Sequence, residues 1–216
     1  MNPGLANVLA LVSTQVCDRV DQVRVLESVD STEYDSWETE VKIGFGQLPG
    51  SPGLVENARE ATSVFGDAVA VMGDALGLQL DDITFDIDFG LATADNELGY
   101  TTIKAGTISS VDGRWRGWAN GRDVIVLRYQ WVKGKHIDPI FKVRHGYFIE
   151  IDGNPSVRTH LLVFPPPDFD EENMMVLGMI MTAMPAVNAI DSVVRAEPGI
   201  QWAHRMNNYG AAGFVS

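Results

Sequence analysis

Residues 82–89 read Asp82-Ile83-Thr84-Phe85-Asp86-Ile87-Asp88-Phe89, a strict alternation of apolar and polar side chains. Period two puts Ile83, Phe85, Ile87 and Phe89 on one face of a strand and Thr84, Asp86 and Asp88 on the other, so the segment predicts a half-buried strand. It opens a run of such segments. Residues 101–118 and 124–132 are long and β-like, and Asn120-Gly121 between them is the strongest short hairpin signal. Residues 143–151 and 157–164 pair across a second turn, Asp152-Gly153-Asn154-Pro155. Pro165-Pro166-Pro167 then ends the sheet, because proline cannot donate to a ladder. Upstream, Val23, Val25 and Val29 form the apolar face of one more strand, with Gln22, Arg24 and Ser28 opposite. Glu27 falls on the valine face. An acid there must be satisfied by a partner, lie near an opening, or sit beyond the buried part of the strand.

Helical patterns flank these strands. Asn2 suits an N-cap and Pro3 a first helical position, and Leu5, Val8, Leu9, Val12 and Val16 follow on one face predicted to be buried. Leu54, Ala58, Ala61, Phe65, Val69, Met72 and Leu76 predict a single second helix that stops at Gly77. A last helix starts near Asp170, with Glu171 and Glu172 in its first turn. It is apolar nearly all round from Met174 to Met184, so it is buried on several sides or lies in an interface. Pro185 should kink or restart it. Residues 31–52 read as a long irregular loop carrying Tyr34, Trp37 and Phe45, the kind of segment that often serves binding. The tail from Glu197 is rich in glycine and asparagine, and no internal repeat is visible. The expected class is α+β: a large mixed, mostly antiparallel sheet with helices packed on one face, in a single domain over residues 1–216.

Composition narrows the partners. The 216 residues carry 29 acidic and 16 basic side chains, a formal net charge of −13. With no basic excess to neutralise phosphates, neither nucleic acid nor an anionic membrane surface is expected as a partner. The single cysteine, Cys17, excludes an internal disulfide framework and a thiolate metal cluster. Met1 to Gly4 shows no basic region ahead of an apolar stretch, and the run from Met174 to Ile190 is interrupted and short for a membrane span. The expected location is cytoplasmic.

No motif forms a self-sufficient catalytic set. Gly44-x-Gly46 lacks the third glycine and the helix that a dinucleotide cradle needs, and Gly134-Lys135 is followed by His136 rather than a hydroxyl. Asp86 and Asp88 share a face about 7 Å apart, which could serve acid/base work or a cation, although solvent-facing acids are the commoner arrangement. The histidines His136, His145, His160 and His204 have no chelating spacing, so no metal is expected. His145 and Tyr147 share a predicted strand face with Val143 and Ile149, a wall that suits a ligand pocket or a satisfied core.

Two stretches carry a resemblance. Asn2-Pro3-Gly4 leads into the first helix, the strand around Val23 to Asp30 and the loop ending Gly44-Phe45-Gly46-Gln47. Thr182 to Ile190 is followed by Glu197-Pro198-Gly199-Ile200. In order and spacing these resemble the carboxy-terminal domain of the dihydrodipicolinate-reductase-like oxidoreductases, in the branch of 2,4-diaminopentanoate dehydrogenase and the NAD(P)H-dependent amine dehydrogenases. The resemblance implies a domain that shapes the substrate pocket and forms a homodimer or higher homo-oligomer. NAD(P)H would be bound mainly by a separate Rossmann domain that this chain lacks, with Asn2 on the cofactor side. The Glu-x-His-His run and following lysine of true dihydrodipicolinate reductases are not matched: the stretch here is Glu27-Ser28-Val29-Asp30, and residues 31–41 hold no lysine.

The leading expectation is therefore the substrate-binding and dimerisation domain of an oxidoreductase acting on a small amine, imine or ketone, with Glu27, Trp37, His145 and Tyr147 in its pocket. The alternative is a non-catalytic small-ligand-binding or assembly module of the same fold. A hydrolase or isomerase built on Asp86 and Asp88 ranks below both.

Overall fold

Alternating segments become a seven-stranded sheet in the computed structural model, which describes residues 1–139, 141–169 and 174–206. In chain order the strands are β1 (Arg19–Asp30), β2 (Asp82–Ala92), β3 (Asn96–Glu97), β4 (Thr102–Ile103), β5 (Ile108–Ala119), β6 (Arg122–Val132), β7 (Ile137–Asp138), β8 (Gly146–Asn154) and β9 (Val157–Leu161). The sheet runs β7-β2-β5-β6-β1-β8-β9, while β3 and β4 pair separately. Among the described residues only β1 and β6 are parallel; every other pairing is antiparallel. Asn120 and Gly121 both take positive φ, 54° and 75°, as the tight β5–β6 turn requires.

The helices are α1 (Leu5–Ser13), continued by a 3₁₀ turn at Thr14–Val16, α2 (Trp37–Ile43), α3 (Leu54–Ala61), α4 (Ser63–Ala75) and α5 (Met175–Val194). The core lies between one sheet face and the helices. It includes Val23, Val25, Val111, Trp115, Ile125, Leu127, Ile149 and Ile151 from the sheet, with Phe65, Val69 and Met72 from α4. This is the α+β arrangement expected.

The opposite sheet face carries charge. Arg114 pairs with Asp86 and Asp88, and Arg116 with Asp86. Arg128 grips Asp112 through two nitrogens at 2.7 and 2.5 Å, and Arg24 bridges Glu150 and Asp152. Asp86 and Asp88 thus serve cross-strand ion pairing, and the acid/base reading of that pair loses its free carboxylates.

Five local readings change. The first helix is capped at Gly4, not Asn2: the Gly4 N–H donates to Asn7 Oδ1 at 2.6 Å, a bond that a buried Asn7 supplies from inside the helix. Its buried face is Ala6, Asn7 and Ala10, whereas Leu5, Val12 and Val16 stay exposed. The 31–52 segment is not wholly irregular, since α2 forms within it and turns Glu40 inward.

The long second helix divides at Thr62, whose buried hydroxyl donates to the Ala58 carbonyl and accepts from Trp115 Nε1 at 3.2 Å. That hydrogen bonding draws the backbone out of the helical path and makes two helices of one periodic pattern. Finally, α5 runs through Pro185 without a break to Val194, and at twenty residues it is long and apolar enough to cross a membrane by length and composition, contrary to expectation. The expected start of this helix at Asp170 to Glu172 lies outside the described residues.

Candidate functional site

Glu27 sits on the helix side of β1, directly across from Tyr129 on β6 and Tyr147 on β8. Continuing the same row, Tyr147 faces Leu161 on β9 and Tyr129 faces Gly113 on β5. Cross-strand partners share a face, so Leu161, Tyr147, Glu27, Tyr129 and Gly113 form one transverse row under the helices.

The row has a reason for its shape. A Cβ at Gly113 would fall inside the Tyr129 ring, so glycine lets that ring lie flat over β5. Flattened there, Tyr129 stacks on Trp131, centroids 4.4 Å apart, and both rings meet Phe65 of α4. Trp131 in turn donates its Nε1–H to Glu27 Oε1 at 3.0 Å.

Two more groups approach the carboxyl. The Asn2 amide lies close enough to favour the charged form, yet both of its side-chain polar atoms are buried without a well-formed hydrogen bond. The Met1 amine also acts on Glu27 through its charge, although burial holds that amine below its ordinary pKa. Burial dominates for Glu27, outweighs Trp131, Asn2 and Met1, and pushes its pKa up to about 7. The Tyr147 hydroxyl makes no hydrogen bond among the described residues, and burial with the nearby Glu27 charge raises its pKa.

A testable consequence concerns pH. Between about 4.5 and 7 the folded chain keeps on Glu27 a proton that the unfolded chain has released, so stability falls as pH rises through that window. The shift corresponds to roughly 3 kcal/mol. Urea unfolding at pH 4.5 and 7.5 should show Glu27→Gln flattening this dependence by about that amount; an unchanged profile would place the titrating group elsewhere.

Of the residues singled out in the sequence, Asn2, Glu27 and Tyr147 come together. His145 does not: it lies outside β8, exposed, at φ 51°, with its carbonyl 3.0 Å from His160 Nε2. The positive φ breaks the alternation on which its pairing with Tyr147 relied. Trp37 opens α2, where its ring packs so closely on Gly46 that a Cβ there could not fit. Gly46 therefore serves this packing, Gly44 lies against Phe89 and Leu54, and no helix opens from them to hold a phosphate. Among the described residues no dinucleotide cradle appears, and no group of three or more His, Cys, Asp or Glu could hold a metal ion.

Tyr129 and Trp131 were missed as site residues. They share a face two residues apart, which is readable, but only the parallel pairing with β1 sets them beside Glu27.

Beside this row opens a groove of about 850 Å³ between α1 and α5, lined by Leu5, Val8 and Val12 on one side and Met181, Met184 and Pro185 on the other. The apolar stripe of α1, expected to be core, is the wall of this groove. Leu161 and Met1 line it too, tying it to the Glu27 row.

Residues 5–211 match the family model described as the 2,4-diaminopentanoate dehydrogenase C-terminal domain. The chain is 25% identical to an amine dehydrogenase of Streptomyces virginiae over 215 residues, covering 93% of this chain and 57% of that protein. An amine dehydrogenase structure from Mycobacterium smegmatis shares the fold, with TM-score 0.59 and 16% identity over 92% of this chain and 54% of that one. The chain thus spans little more than half the length of these relatives. A match across nearly its whole length places this chain in the 2,4-diaminopentanoate dehydrogenase C-terminal domain family, among amine dehydrogenase-like oxidoreductases.

Proposed function

We propose that this chain is the substrate-side and dimerisation domain of an NAD(P)H-dependent oxidoreductase acting on a small amine, imine or ketone. The observation that carries the reading is the Glu27 carboxyl held among Trp131, Asn2 and Tyr147, beside an apolar groove, in a chain of this family. Such a site offers a proton-handling group and an apolar wall, the two requirements for binding a small amine next to a hydride donor. The nucleotide belongs to a separate domain, with Asn2 on the side that faces it, since the described residues show no cradle for a pyrophosphate. The cofactor, when bound, supplies the hydride; the residues here hold and orient the acceptor and exclude water from it.

The charged sheet face, free of described helices, suits a second copy in a homodimer, because its paired arginines and acids already satisfy one another. The exposed residues of α5, among them Met179, Ile180 and Ile190, belong to contacts with protein rather than lipid. Asn188 and Asp191 interrupt that surface, and the helix already packs its Met181 side against the core. The cytoplasm suits such a catalyst, with neither nucleic acid nor membrane as partner.

The test is a turnover assay with NADH or NADPH, ammonia and a panel of ketones, with and without a supplied nucleotide domain. Turnover should require that domain, and NADPH alone should neither bind this chain nor protect it from unfolding. Micromolar NADPH affinity for the chain by itself would overturn the division of labour. Ketone binding without turnover in any combination would select the non-catalytic module instead.

A further inference from the structure

We infer that Glu27 is the recognition group for the ammonium of a primary alkylamine, whose apolar body lies along the groove between α1 and α5. The inference rests on the function proposed above only for the class of substrate; the geometry supplies the rest.

Glu27 is an acid without a fixed basic partner. The groups around its carboxyl are the indole of Trp131 on β6, the Asn2 amide, the Met1 amine and the phenol of Tyr147 on β8. No lysine, arginine or histidine pairs with it among the described residues, although the outer sheet face satisfies most of its acids with arginines. Met1 is a poor counter-ion, since burial disfavours its charged form. An ionised Glu27 therefore lacks a cation.

Its surroundings can also complete a ligand's hydrogen bonds. Both polar atoms of the Asn2 side chain are buried without a well-formed hydrogen bond, and the Tyr147 hydroxyl has no hydrogen-bond partner among the described residues. An ammonium carries three donors. Glu27, Asn2 Oδ1 and Tyr147 Oη are three acceptors with lone pairs left to offer, Glu27 already accepting one bond from Trp131. Orphaned buried polar atoms of this kind call for an explanation, and a bound ligand is one.

The groove fixes the rest of the molecule. Leu161 lies in its wall and, two strands away along one row, Glu27 lies about 10 Å off at the usual strand spacing. Met1 bridges the two, lining the groove while its amine acts on Glu27. A chain of several carbons spans that distance, with its methylenes against Leu5, Val8 and Met181. The six-carbon amine is accordingly the probe of choice.

The experiment follows the indole N–H resonance of Trp131 in the 216-residue chain, assigned through Trp131→Phe, during titration with hexylammonium and with 1-hexanol at pH 8. Hexylammonium should shift the resonance saturably and bind at least ten-fold more tightly than hexanol. Glu27→Gln should abolish that preference while leaving hexanol binding as it was, and Leu5→Asp in the groove should weaken both ligands. Without any variant, hexylammonium affinity should rise as pH increases through about 7 and Glu27 ionises. Equal affinity for the two ligands, an undiminished preference in Glu27→Gln, or no saturable shift with hexylammonium would each overturn the inference. Turnover failing in the ketone assay while the ammonium preference persists would instead strike the proposed reaction and leave this site standing.

Discussion

Lys133→Ala is expected to lower the stability of the fold by about 3–5 kcal/mol, the range for removing one partner of a buried ion pair. Lys133 is 0% exposed and Glu40 4%, and their charged atoms lie 2.8 Å apart. The ammonium also donates to the carbonyls of Ser31 at 2.6 Å and Tyr34 at 3.0 Å, and to Tyr100 Oη at 2.6 Å. Tyr100 donates its own O–H to the Tyr34 carbonyl at 2.8 Å. One lysine at the end of β6 thus ties together the chain leaving β1, the inward face of α2 and the segment between β3 and β4.

Desolvation acts on both partners. It lowers the Lys133 pKa, opposed by Glu40, and it raises that of Glu40 to about 6, opposed by Lys133. Removing the lysine leaves the acid buried without its cation and takes one donor from each of three oxygen acceptors. Replacing both ends, as in Lys133→Met with Glu40→Leu, should recover much of the loss, because the uncompensated charge is then gone. Urea unfolding of the three variants measures this. A single variant within about 1 kcal/mol of wild type would mean that the pair carries little of the stability.

Gly113→Ala is the second large effect, expected at about 2–3 kcal/mol. The new methyl would occupy the space of the Tyr129 ring, and the neighbouring strands leave no room for the backbone to retreat. Displacing Tyr129 disturbs its stacking on Trp131 and its weak contact with Thr62 Oγ1, 3.4 Å away. The same substitution in a Tyr129→Leu background should be milder, with a coupling of at least about 1 kcal/mol, since touching residues rarely act independently. Because Trp131 holds Glu27, Gly113→Ala should also move the Trp131 indole resonance. Additive losses in the double variant would show that the glycine acts through something other than the ring.

The charged sheet face illustrates how local pattern and tertiary context divide the work. Thr84, Asp86 and Asp88 were legible as one outward face from alternation alone. Their partners were not, because Arg114 and Arg116 lie across the β2–β5 register, which joins segments some thirty residues apart. His145 shows the opposite failure. Its apparent place in a period-two pattern ended at a backbone turn, where His145 and Gly146 both take positive φ. A single residue in that conformation shifts every following side chain relative to it, and composition gives no warning.

The helices follow the same rule. Leu5, Val8 and Val12 announced an amphipathic α1, but the spacing was silent on whether their stripe meets the sheet or lines a groove beside α5. Thr62 looked like an ordinary helical residue until Trp115 and Tyr129 reached its hydroxyl.

Strands, hairpin turns and the sidedness of Glu27 could thus be read from short-range periodicity, since alternation and turn chemistry act over a few residues. The resemblance to the dehydrogenase family was legible for a related reason: its motifs are contiguous stretches in a set order. The partners of Glu27, the Lys133–Glu40 pair and the groove arose only on folding. The first two depend on elements brought together across about a hundred residues, above all by the parallel pairing of β1 with β6, and the groove on α1 meeting α5; no local preference encodes which distant element becomes the neighbour.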